Sequence, residues 1–199
     1  MRYDGPVKAG ATARRMSYAE YCALEREGGR KHEFLNGEVF AMAGGTLEHG
    51  RLATELARRL GEALDDRPCR VLSSDVRVHI EATGLDTYPD LSVVCGEPNT
   101  GDDPHALTNP VLLVEVLSPS TEAYDRGQKA AHYRQIPGLN AYLLVAQDEP
   151  RLELQTRDER GRWVLSEAGP GEQLEIEALE ITLDVDALYR DRIPPRARA

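Results

Sequence analysis

The sequence is short of cysteine, lysine, aromatic residues and long apolar runs, and each shortage excludes something. Its three cysteines in 199 residues, Cys22, Cys69 and Cys95, are odd in number, far apart, and form no CxxC pair. That argues against a disulfide scaffold and a cysteine-rich zinc site, and it points to the cytoplasm. Apolar runs such as Val111–Val114 fall far short of the roughly 20 residues that span a bilayer, so no membrane association is expected. The first residues, MRYDGPVKAGATARRMS, lack the apolar stretch of a signal peptide. Bases are outnumbered, 24 against 34 acids, and the net charge of −10 repels nucleic acid at long range. A protein that coats DNA non-specifically is therefore excluded. An enzyme whose carboxylates are offset by metal ions is not. Only three of the bases are lysines, Lys8, Lys31 and Lys129, so a lysine within an ordered element departs from the chain's own habit.

What is present is a globular balance, 41% hydrophobic and 29% charged, in a length that fits one domain. We expect a single domain over residues 17–190, with flexible tails at 1–16 and 191–199. Ser17 with Glu20 is a capping box, which predicts a helix over Tyr18–Arg26. Asn36–Gly37 between short apolar runs predicts a type I′ hairpin, because both central residues need positive φ. Thr46 opens a helix striped by Leu52, Leu56, Leu60 and Leu64. Asp90–Cys95 and Val111–Leu117 read as central strands buried on both faces, and Gly96–Asn109 between them as a loop. Beyond SPST a helix runs to Ile136, its firm start placed at Asp125, where Asp125 and Gln128 match a second capping box. Tyr142–Val145 then continues a parallel crossover. Leu152–Thr156, Trp163–Ser166 and Leu174–Ile176 read as a C-terminal antiparallel meander. The sum is an α/β (α+β) domain with a mixed sheet flanked by helices.

Glu115 is a lone carboxylate inside VLLVEVL, near the carboxyl end of a strand, where an apolar side chain is expected. Burial of an unpaired carboxylate costs several kcal/mol, so it needs a metal, a cation or hydrogen-bond donors. Asp90 follows Pro89 at a rigid strand start. If the two strands are antiparallel neighbours, Asp90 and Glu115 fall within reach of one Mg²⁺ or Mn²⁺, ions that take carboxylate, water and phosphate oxygens. Lys129 lies early in the following helix and leans back toward the end of the Glu115 strand.

Together YPDLSVV, VLLVEVLSPST and DRGQKAAHY resemble the PD-(D/E)xK nuclease superfamily. They resemble more closely the bacterial group of restriction-endonuclease-like proteins whose motif lysine has migrated from the strand to the following helix. Accordingly Leu117, not a lysine, stands two residues after Glu115. The resemblance implies a restriction-endonuclease-like fold and a Mg²⁺- or Mn²⁺-dependent endonuclease acting on DNA. Asp90 and Glu115 would be the metal ligands and Lys129 the displaced lysine. Two further positions match that group: Glu38, after the Asn-Gly turn, and His49, in the first turn of the long helix. Asp75 also matches and reads as structural; Ser118 and Ser120 serve helix entry rather than nucleophilic attack. Cleavage of both strands of a duplex is easiest with twofold-related sites, so a homodimer is expected. The alternative is a catalytically inactive, homo-oligomeric interaction or nucleic-acid-binding module of the same fold.

Overall fold

A computed structural model describes residues 15–193. The expected helix forms as α1 (Tyr18–Glu27), and Ser17 and Glu20 make the reciprocal capping bonds. Asn36 and Gly37 adopt φ of 52° and 87° and turn β1 (His32–Leu35) into β2 (Glu38–Ala41). Thr46 caps α2 (Leu47–Ala63), accepting from the His49 backbone N–H. There follow β3 (Cys69–Ser73), β4 (Arg77–Ile80), β5 (Leu85–Thr87), β6 (Leu91–Cys95), β7 (Ala106–Leu107) and β8 (Leu112–Leu117). A broken helix comes next: α3 (Glu122–Tyr124), a π-helical turn over Asp125–Lys129, and α4 (Ala130–Tyr133). The chain closes with β9 (Ala141–Ala146), β10 (Leu152–Arg157), β11 (Trp163–Ala168), β12 (Gln173–Ile176), β13 (Ile181–Asp184) and α5 (Val185–Tyr189).

The central sheet has the order β11-β10-β9-β8-β6-β3. Within it β8 and β9 are parallel, as the crossover predicts, and β6 is antiparallel to β8. Alternate residues of its strands feed two cores. Val114, Val116, Leu143 and Leu154 meet the leucine stripe of α2 and the β12–β13 pair with α5. Leu113, Leu117, Tyr142 and Leu144 meet Tyr133 and Ile136 of the broken helix, together with Val78 and Ile80 of a second sheet. That second sheet, β2-β1-β5-β4-β7, carries α1 on Phe34, Tyr21 and Cys22.

Several expectations are corrected. The helix does not start at Asp125: it begins at Glu122, and Asp125 is buried inside it. The C-terminal region is antiparallel, but β12 leaves β11 and pairs with β13 as a separate two-stranded sheet. The three cysteines do not all stand apart: register sets Cys69 opposite Cys95 on β3 and β6, where they form a single disulfide, leaving Cys22 free and buried. One bridge is still no scaffold. The Gly96–Asn109 loop contains β7, which adds to β4 in parallel. Met16 donates to the Gly37 carbonyl and Ile193 to Glu48, and Arg15 is exposed; residues 1–14 and 194–199 of the expected tails lie outside the described ones. Among the described residues no helix is long and apolar enough to cross a membrane.

Candidate active site

The antiparallel register of β6 and β8 pairs Leu91 with Val114, which carries Asp90 to the flank of Glu115. The Val116 backbone N–H donates to Asp90 Oδ2 at 2.7 Å, and His49 Nε2 meets the same oxygen at 3.2 Å. His49 reaches it from the first turn of α2. A Cβ on Gly45 would lie 2.7 Å from His49 Nδ1, so only glycine leaves the ring its place. The hydrogen bond to Asp90 raises the His49 pKa, against the pull of burial.

Glu115 points from β8 into the second core, on the face of Leu113 and Leu117. Its Oε1 accepts from the Tyr133 hydroxyl at 2.7 Å and lies 2.8 Å from Lys129 Nζ. Burial pushes the Glu115 pKa up to about 8; Lys129 opposes the shift and the charges of Asp125 and Asp90 add to it. Burial acts against the charge on Lys129 too, but the carboxylates of Glu115, Glu33 and Asp125 outweigh it and hold the lysine well above its usual range. Burial and the Glu115 charge keep Tyr133 protonated, and hence a donor.

Sequence reasoning missed two members of this cluster. Glu33 Oε1 lies 3.3 Å from Lys129 Nζ and accepts from the Thr87 hydroxyl; Asp125 Oδ1 lies 3.6 Å from the same ammonium. Asp125 and Lys129 bracket the π-helical turn, and both are buried. Such turns recur at functional sites because they re-aim side chains within a helix. Burial also raises the Asp125 pKa. In HEFL, Glu33 and Phe34 point to opposite faces of a strand whose two central residues are both buried, so the inward place of Glu33 is set by tertiary pairing rather than by the local sequence. Glu38 stands elsewhere. It is exposed opposite Leu35 beside the turn, and among the described residues its side chain makes no hydrogen bond or ion pair. Asp75 is exposed and pairs with Lys31 at 2.6 Å. The structure thus brings Asp90, Glu115, Lys129 and His49 together and leaves Glu38 outside.

Among the described residues no group of three or more His, Cys, Asp or Glu side chains is placed to hold a metal ion. A hard dication does not need one, since one or two carboxylates plus water and phosphate oxygens suffice. The donors of Glu115 all fall on Oε1 and those of Asp90 on Oδ2. Among the described residues Glu115 Oε2 and Asp90 Oδ1 accept no hydrogen bond, so one oxygen of each remains open. Four carboxylates face one lysine and one histidine, a local negative excess that a divalent cation would offset. The donor chemistry suits a hard divalent cation.

Comparison with known proteins agrees with this fold. The model of the Uma2 family, described as "Putative restriction endonuclease", matches residues 18–186. Two Synechocystis sp. (strain ATCC 27184 / PCC 6803 / Kazusa) proteins are similar over most of their length. "Uncharacterized protein slr1290" is 35% identical over 88% of this chain and 92% of its own. "Uncharacterized protein sll1609" is 38% identical over 84% and 94%. The fold is similar to a crystal structure described as "a putative nuclease belonging to DUF820" from Anabaena variabilis ATCC 29413. Its TM-score is 0.69 at 15% identity, covering 83% of this chain and 95% of that one. The chain belongs to the Uma2 family, within the restriction-endonuclease-like PD-(D/E)xK superfamily.

Proposed function

We propose that the chain is a Mg²⁺- or Mn²⁺-dependent endonuclease hydrolysing phosphodiester bonds in DNA. The observation that carries this reading is that Lys129 lies 2.8 Å from Glu115 while Asp90, held by the Val116 N–H, stands beside the same strand end. Asp90 Oδ1 and Glu115 Oε2 would hold the cation. When bound, such an ion supplies Lewis-acid polarisation of a phosphate oxygen and makes water more acidic. The chain's own groups do the rest. The Val116 N–H and His49 fix Asp90, and Tyr133 and Lys129 fix Glu115, so that neither carboxylate must reorganise during reaction. Lys129 is a compact, permanently charged ammonium that can turn from its carboxylate partners to orient a water or offset charge on the phosphorane. Glu33 and Asp125 keep that ammonium charged and in place.

The test is a Mn²⁺-supplemented cleavage panel of duplex, single-stranded and branched DNA. Nicking or cutting of at least one substrate, abolished by Glu115→Gln, is expected. Intact substrates throughout, with the protein folded and Mn²⁺ bound, would return the chain to a catalytically inactive binding module.

A further inference from the structure

The outer edge of β11 is unpaired among the described residues. The Asp158 N–H donates to the Arg162 carbonyl at 2.8 Å in the β10–β11 hairpin. Arg162 and every second residue after it therefore turn their main-chain groups toward β10, and Trp163, Leu165 and Glu167 turn theirs outward. Val164 and Leu165 are 46% and 56% exposed. Proteins that stay monomeric blunt such an edge with charged side chains, above all lysine, with proline or with a bulge; the single charge on this edge is Glu167, and neither lysine nor proline stands there. The strand pairs with β10 at all six positions without a bulge.

Beside this edge sit two arginines with no acid of their own. The guanidinium groups of Arg157 and Arg134 lie 5.1 and 6.0 Å from the centre of the Trp163 ring. Among the described residues neither meets a carboxylate: Arg134 donates to Gln155, and Arg157 to the carbonyls of Arg134, Ile136 and Pro137. Glu167, exposed on the same strand, meets among the described residues only Arg151, at 3.9 Å.

We propose that β11 is the interface with a second copy of this chain, the two strands pairing antiparallel about a twofold axis at Leu165. An antiparallel ladder matches outward-turned residues with outward-turned residues, which permits this register. It sets Leu165 against its own mate and Trp163 opposite Glu167. Each Glu167 then falls beside Arg134 and Arg157 of the other copy, and the symmetry makes this contact twice. On the opposite face Val164 meets Ser166. The two six-stranded sheets join into one, and both exposed apolar residues are covered. The inference does not depend on the chemistry of the carboxylate pocket.

The test is light scattering from micromolar to about 100 µM, with two variants. Wild type is expected at twice the chain mass. Leu165→Lys, which sets two ammonium groups face to face, is expected at the monomer mass, still folded by circular dichroism, and with a melting temperature that no longer rises with protein concentration. Leu165→Cys supplies the geometric check. A hydrogen-bonded antiparallel pair holds its Cα atoms about 5.5 Å apart, within disulfide reach. This variant should cross-link to a covalent dimer on mild oxidation. Val164→Cys should not, because its own mate lies diagonally about 7–8 Å away. The native thiols interfere little, since Cys22 is buried and Cys69 and Cys95 are bridged. A monomeric wild type across the range overturns the proposal. So does a dimer that survives Leu165→Lys, or one in which Leu165→Cys fails to cross-link.

Discussion

Lys129 and Glu115 meet at 2.8 Å although one stands on a π-helical turn and the other on a central strand. The contact occupies Oε1 and leaves Oε2 open. Removing the ammonium strands Glu115, Glu33 and Asp125 around an uncompensated pocket. Lys129→Ala is therefore expected to destabilise the metal-free protein by about 3–5 kcal/mol, the scale for breaking a buried pair. Added Mn²⁺ should recover part of that loss, while cleavage stays slower by about 10²–10³. Lys129→Arg should restore stability better than activity, because a planar guanidinium cannot place one compact charge where the ammonium sat. Denaturant melts and single-turnover cleavage separate the two effects.

Tyr133→Phe removes only the hydroxyl that donates to Glu115 Oε1. The ring keeps its T-shaped contact with Tyr142, so the fold should persist, with a loss of about 1–3 kcal/mol. Outer partners of metal-binding side chains typically matter about 10–100-fold in affinity, and a drop of that size in Mn²⁺ binding is expected by calorimetry. Unchanged affinity would reduce Tyr133 to packing.

Gly45→Ala should act through His49. The new methyl would sit where the imidazole lies and push it off Asp90. Gly45→Ala and His49→Ala should each weaken Mn²⁺ binding, and the double variant should be no worse than the poorer single one, the non-additivity of residues that share one contact. Full additivity would place Gly45 in an unrelated role.

The pH dependence has a definite sign. Glu115 titrates near 8 in the fold against 4.5 in the open chain, so between these values the native state binds more protons. Metal-free stability should fall as pH rises across that window, and the raised pKa of Asp125 slopes the same way. Glu115→Gln should flatten the profile. A cation must displace the Glu115 proton, so Mn²⁺ affinity should climb by up to about tenfold per pH unit and level off above pH 8. Calorimetry in buffers of different ionisation heat should show proton release on binding.

Much of the fold was legible because local chemistry and tertiary structure agree in it. Asn36–Gly37, Ser17 with Glu20, and the leucine stripe after Thr46 each have one good local solution, and each forms it. Glu115 was legible because a charge in an apolar strand demands a partner. Asp125 was misread because Asp-x-x-Gln satisfies a local rule, whereas the buried Lys129 and the π-helical turn settle its place through tertiary contacts. Glu33 was missed because its inward direction depends on β1 lying against β5, where Thr87 bonds it. β5 and β7, three and two residues long, are too short for periodicity to register. The Cys69–Cys95 bridge spans 26 residues and exists only because β3 and β6 pair in that register.

The central claim is that Asp90 and Glu115 share one divalent cation. Mn²⁺ titration by calorimetry of the wild type, Asp90→Asn and Glu115→Gln at about pH 8 tests it most directly, with circular dichroism confirming that each is folded. The account predicts one binding event in the wild type and its loss in both variants. Wild-type affinity in both folded variants would contradict it.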